Sequence, residues 1–461
     1  YGAIDGLAYL KTLDFVDKTK IGLEGHSMGG WASVIAAATM PNDYRSMVLE
    51  GSSTGTKYSS KYVPIPGTPT FPKNLAVVFS TYDEFSILMW EVPIARDVVH
   101  SDALKKVFGT EDPVEPGRIY GSIDEGTARV LYQPETTHPG DHLSCSAIGS
   151  AIEWFQKTLG EVNAIPASDQ IWYWKEIATA VSLLGALLFI FALGGLLLQT
   201  GAFAALREAP QNPKPATGVT WWIAALLTML VPAATYFIFN GIGNLAFKSS
   251  WLFPQQVTNT LVFWLILNMI ISLVLFLIWH AFNRKKGGNG VSYGFIGAKG
   301  STGRKIGLSI LLAVIVIGVS YLLLVVISAL FTVDYRFWIL QLKPMGWLHF
   351  KVALRYIIPF LLFYLVFAMV LHGQLRAAAG TLKSRMIKAV IVTSLGYLLL
   401  LLMLYIPLFA GKPLGVPDVQ LTLYAIVAIQ VLPLFIIVTF VSTYFYEKTG
   451  LIYPGALINA L

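Results

Sequence analysis

The residues best placed to do chemistry are Gly25-His26-Ser27-Met28-Gly29-Gly30. A short apolar run, Lys20-Ile21-Gly22-Leu23-Glu24, precedes them, and a small-residue helical run, Trp31 to Thr39, follows. That pattern reads as strand, tight turn, helix. A serine held in such a turn is lifted above the carboxyl end of a sheet, where its hydroxyl can attack a carbonyl carbon. The Met28 backbone N–H is then the candidate oxyanion donor. Glycines are expected beside Ser27, because a Cβ there would collide with neighbouring backbone.

A serine nucleophile needs a base to take its proton and an acid to orient that base. Three further strands are read: Arg45–Glu50, Leu75–Ser80 and Ala128–Gln133. The second has no polar alternation, as in a parallel sheet covered on both faces. Asp83 and Glu84 follow its end, and Thr136 to Ser144 follow the end of the third. Both loops should therefore reach the sheet edge that carries Ser27. Ser27 is read as nucleophile, His142 as general base and Asp83 as the group that fixes the base's tautomer. Glu84 is the alternative acid, since Asp83 is equally suited to cap a helix. His138 is the alternative base. His142 is favoured because Gly140-Asp141-His142 runs straight into the helix Ser146–Leu159. Cys145 reads as a small buried residue beside the site. Gly51 to Asn74, rich in Ser, Thr, Pro and Gly, reads as a long surface loop able to contribute a lid.

On Gly-His-Ser-Met-Gly-Gly, the place of Asp83 and the Asp141-His142 pair, residues 1–160 resemble the second half of an α/β-hydrolase of the dienelactone hydrolase, esterase and prolyl-oligopeptidase type. In that family the chain order is nucleophile, acid, histidine. The resemblance implies a small parallel sheet flanked by helices. It also implies hydrolysis of an ester, thioester or amide through an acyl-serine, with no cofactor or metal. The family's first strands, and the loop that gives a second oxyanion donor, would lie upstream of Tyr1. Glu24 departs from the apolar residue commoner before the elbow.

Composition divides the chain. Of 461 residues, 55% are hydrophobic and only 13% charged, far from a soluble average. Residues 1–163 look globular, 164–176 form a linker and interfacial segment, and 177–461 read as an all-α polytopic transmembrane bundle. Seven spans are expected: 177–198, 219–240, 261–282, 306–331, 352–371, 389–409 and 421–441. Pro232, Pro359, Pro407 and Pro433 are expected to kink them. The net charge of +7 sits mostly in loops between apolar runs, so it signals topology and not nucleic acid. The single cysteine excludes an internal disulfide. The last residues, 451–461, are apolar but too short to span, and both chain ends read as lying within a longer protein.

Within the spans, ionisable residues are few. Arg355 lies one turn inside and can snorkel. His280 and His372 sit at span ends, and Asn268 is best read as an interhelical hydrogen bond. No metal-ligand spacing appears. Two functions of different class follow: a membrane-bound serine hydrolase, or a multi-pass transporter or scaffold whose hydrolase-like domain only binds a ligand or partner. The partners expected are the bilayer and an acyl ester or amide. Alternate loops carry thirteen Lys and Arg on one side (Arg207, Lys214, six in 284–305, four in 376–388, Lys448) against five on the other. Positive loops stay in the cytoplasm, which places the hydrolase outside the cell membrane and requires an upstream signal or anchor. The basic loop 283–305 is read first as a topology determinant and second as a contact for anionic headgroups.

Overall fold

The computed structural model describes residues 2–160, 165–211, 218–284, 288–376 and 380–461. Ala164 of the expected linker and the basic residues Lys214, Lys285 and Lys286 lie outside them. The chain divides into two compact units, residues 1–175 with 403–422, and residues 176–402 with 423–461.

The first unit is built on four parallel strands: β1 (Gly22–His26), β2 (Ser46–Glu50), β3 (Leu75–Val78) and β4 (Arg129–Tyr132), in the order β1-β2-β3-β4. Glu24 pairs with Val48, Val48 with Ala76 and Ala76 with Val130. Every residue of β2 and β3 is buried, so both faces of the sheet are covered, which is why their sequences do not alternate. On one face Val48, Ala76, Val78 and Val130 pack against Ala147, Ala151 and Trp154 of the helix Cys145–Leu159. The Trp154 Nε1–H closes that layer by donating to the Asn74 carbonyl at 2.8 Å. β1 pairs only with β2 in the described sheet and is half-exposed. The first strand starts two residues later than its sequence suggested, which makes His26 its last residue.

Parallel strands leave their carboxyl ends on one edge, so the segments after β1, β3 and β4 share that edge. The Gly51–Asn74 segment is not simply a surface loop. Ser52, Ser53, Thr54 and Ser59 are buried, and Tyr62 stacks on Trp31 with ring centroids 5.1 Å apart. Cys145, expected to be buried, is exposed, because it opens its helix on the outer side of the turn.

Among the described residues, six helices are long and apolar enough to cross a membrane: Trp172–Gln199, Gln256–Phe282, Thr302–Phe331, Trp347–Gln374, Leu382–Phe409 and Val419–Thr449. The chain is thus a multi-pass membrane protein. A seventh stretch is a broken pair, Val219–Ala234 and Tyr236–Ala246, bent by 49°. Pro232 lies just before that break, and Thr235 at the break donates to the Val231 carbonyl. Helices run on through Pro359, Pro407 and Pro433.

Within the second unit, Asn268 meets the Thr235 hydroxyl across the helix contact, as its mid-span place suggested. Arg355 reaches back to cover the Trp251 ring. His372, at a span end as the sequence suggested, is nevertheless buried within the protein. It is 2% exposed, lies in a π-helical turn, stacks on Tyr446 and meets Ser442 Oγ at 3.0 Å. The terminal helix Tyr453–Ala460 packs inward with Leu451, Phe445 and Ile458. Two strands were not anticipated, Tyr335–Phe337 and Leu340–Leu342, which form an antiparallel hairpin.

Candidate active site

The turn between β1 and the helix Met28–Thr39 is strained at one residue. Ser27 has φ 56° and ψ −123°, a region that costs a non-glycine residue roughly 1–3 kcal/mol and persists only where the surroundings enforce it. Three bonds enforce it here. The Ser27 N–H donates to the Glu50 carbonyl at 2.9 Å, and the Ser27 carbonyl accepts from Ser52 Oγ at 2.7 Å and from the Gly30 N–H at 3.0 Å. The Ser27 hydroxyl itself makes no hydrogen bond among the described residues, and neither does the Met28 N–H at the first helical position.

The steric need for glycine falls on Gly25 and Gly30. A Cβ at Gly25 would lie 2.2 Å from the Gly29 backbone, and one at Gly30 would lie 2.3 Å from Ser52 Oγ. At Gly29 it would meet nothing within 4 Å, which corrects the expectation for that flank. Gly25→Ala should therefore destabilise the first unit by about 1–3 kcal/mol, the usual range for overpacking. Gly29→Ala should be neutral or slightly stabilising, since alanine favours a helix. Thermal unfolding of the two variants checks this; equal losses would contradict it.

Beyond β3, Asp83 is 1% exposed. Its Oδ1 accepts from the Phe85 N–H at 2.7 Å, and its Oδ2 lies 2.8 Å from His138 Nδ1. Asp83 thus both tethers the next turn and holds a histidine. The histidine is His138, where sequence position had favoured His142. The reason lies in the turn His138–Leu143, a 3₁₀ helix. Residues three apart share a face in that geometry, so His138 and Asp141 both point inward, at 4% and 0% exposure. His142 falls on the outer side and is exposed.

The rest of the cluster fixes His138. Its ring lies 4.6 Å from the Phe85 ring and 4.4 Å from the His26 ring. Its backbone N–H donates to Glu84 Oε2 at 2.8 Å. Glu84, the alternative acid, therefore holds the loop, and its Oε1 accepts from the Tyr405 hydroxyl at 2.9 Å. The His26 Nε2–H donates to the His138 carbonyl at 2.9 Å and lies 3.5 Å from Asp141 Oδ2, while Asp141 accepts from Ser80 Oγ. His142 rests its ring 4.2 Å from that of His26. A Cβ at Gly51, next to the carbonyl that holds Ser27, would lie 2.8 Å from His138 Nδ1, so His138 adjoins the elbow.

Burial and the neighbouring His26 pull the His138 imidazole down to about 3, so at neutral pH it is uncharged. Burial, and then Asp141, raise the Asp83 carboxyl above the usual carboxylate range. Burial, with Asp83 beside it, pushes Glu84 up to about 8. Burial likewise brings Glu50 to about 8, helped by Glu24 and Asp141. For His26 burial opposes the cation, but the Asp141 carboxylate outweighs it and lifts the ring above its ordinary value. From sequence, His26 and Asp141 are named only within the motifs that carry the resemblance and are given no role of their own, and Tyr405 is not named. Only the crowding of His and acidic residues at strand ends hinted at the first two. Among the described residues no group of three His, Cys, Asp or Glu side chains is arranged to hold a metal ion.

No family model matches this chain, and neither does any curated protein or solved structure.

Proposed function

We propose that the first unit is a serine hydrolase of the α/β-hydrolase type, carried on a multi-pass membrane protein. The observation that carries this reading is the strained Ser27 turn on the same sheet edge as the Asp83–His138 pair. Strain of that kind at a part-buried serine whose hydroxyl is unbonded serves a nucleophile, and has no evident use in a turn that only connects. The roles follow. The His138 Nδ1–H donates to Asp83, which leaves Nε2 as the basic nitrogen. Ser27 Oγ attacks the acyl carbonyl and its proton passes to His138. The Met28 N–H, unpaired at the helix start, stabilises the oxyanion. Collapse expels the alcohol, thiol or amine with the proton from His138. Water then repeats the sequence and frees the acid. Contacts between nucleophile and base are often long without substrate and tighten when it binds, which accommodates the unbonded Ser27 hydroxyl. That same hydroxyl is the observation that favours the second reading, a transporter or scaffold with a binding-only domain. Turnover of a chromogenic acyl ester by the full chain, lost in Ser27→Ala, supports the first reading; absence of turnover with retained fold supports the second.

The hydrolase unit is proposed to face outward. Tyr405 and Glu84 belong to the same unit, so an even number of crossings should separate residue 175 from residue 403. Counting the broken pair 219–246 as one span gives six in that interval. With the excess of Lys and Arg in the opposite loops held in the cytoplasm, the hydrolase is extracytoplasmic. With Cys145 replaced by Ser, an impermeant maleimide added to intact cells should label a cysteine placed at Gln255 and spare one placed at Asn289. The reverse pattern would put the hydrolase in the cytoplasm.

A further inference from the structure

We propose that the second unit carries a binding site for the phosphate of an anionic lipid, between Arg376, Arg385, Lys388 and Thr443. Arg376 follows the span Trp347–Gln374, Arg385 and Lys388 open the span Leu382–Phe409, and Thr443 and Glu447 lie near the end of Val419–Thr449. One narrow cleft is lined by all five residues.

Charge is unbalanced there. Glu447 is shared by two guanidinium groups: Arg376 Nε lies 3.0 Å and its second nitrogen 3.3 Å from the carboxylate, and Arg385 lies 3.0 Å from it. The side chains of Arg376, Arg385 and Glu447 are 10%, 22% and 8% exposed. Glu447 is thus shared by two largely buried cations, and Lys388, itself exposed, adds a further positive charge at the cleft wall. An unanswered charge taken out of water is costly unless a counter-charge joins it.

Two donors are also left over. Arg385 Nε and Thr443 Oγ1 are buried without a hydrogen-bond partner, and Thr443 is 3% exposed. Guanidinium N–H, hydroxyl and ammonium groups converging on one small cleft match the several oxygens of a phosphate. The location selects the source. Helix ends at the border of a bilayer meet lipid headgroups, and basic pockets between helices on the cytoplasmic side are where anionic headgroups bind. The adjoining π-helical turn, Val370–Gln374, is a backbone irregularity of the kind common at functional sites. This site is independent of the proposed hydrolase activity.

The test uses the full chain in vesicles of phosphatidylcholine alone and of phosphatidylcholine mixed equally with phosphatidylglycerol. Lipid retained on the purified protein is counted by native mass spectrometry, and thermal unfolding is followed in parallel. The wild type should retain phosphatidylglycerol in preference and unfold at a higher temperature in the mixed vesicles. Arg385→Gln and Lys388→Gln should weaken retention by about tenfold each, as loss of a charged hydrogen-bonding partner does. Thr443→Val leaves the Arg–Glu pairing untouched and should weaken it by a smaller factor, which keeps the test valid if Arg385→Gln misfolds. Equal retention of the two lipids by the wild type, or full retention by all three variants, overturns the proposal. Stabilisation by inorganic phosphate in detergent, without any lipid preference, would overturn the lipid source and leave a free phosphate in its place.

Discussion

Replacing His138 with alanine is expected to lower kcat/KM for an acyl ester by on the order of 10³-fold or more, as loss of a triad base does. His142→Ala should stay within about tenfold of the wild type, because its ring is exposed on the outer side of the turn while His138 is the histidine that meets Asp83. The contrast rests on the 3₁₀ turn that directs His138 to Asp83 at 2.8 Å and leaves His142 exposed. Both variants should fold, and circular dichroism with thermal unfolding would show it. Opposite results, a collapse of turnover in His142→Ala with His138→Ala active, would restore the assignment that sequence position favoured.

Asp83→Asn carries the second large effect. An amide keeps the shape and can still accept the Phe85 N–H. It can also donate to His138 Nδ1, which moves the ring proton to Nε2 and removes the base; losses near 10⁴-fold attend this change in serine triads. Glu84→Gln is the matched control. Glu84 accepts the His138 backbone N–H and the Tyr405 hydroxyl, and a glutamine carbonyl can replace one of these acceptors. Its effect should therefore be at least about tenfold smaller than that of Asp83→Asn. Comparable losses in both would make Glu84, and not Asp83, the acid that matters.

What the sequence conveyed depended on range. The elbow was legible because its signals are local: an apolar run, glycines around one serine, then small helical residues. The edge that carries the site was legible for the same reason, since successive strands and their polar ends define it. The choice between His138 and His142 turns on a single 3₁₀ turn whose phase no pattern announces. Asp141, hidden in the same turn, and His26, at the strand end, acquire meaning only from each other across 115 positions of chain. Tyr405 meets Glu84 across 321 residues and sits in a stretch that reads as plain membrane helix. Gly29 looked required because the motif contains it, whereas space decides for Gly25 and Gly30. In the membrane unit hydropathy located the helices, but four prolines in similar apolar settings had one break among them, beside Thr235. The hairpin at 335–342 is made of three-residue strands, too short for any periodicity to register.

The most direct measurement is covalent capture of the nucleophile. The full chain, in membranes or detergent, is treated with a fluorophosphonate, and the labelled peptide is sequenced by mass spectrometry. One modified residue is expected, Ser27, with labelling abolished in Ser27→Ala and strongly slowed in His138→Ala. No label on a folded wild-type protein, or label on another serine that persists in Ser27→Ala, would contradict this.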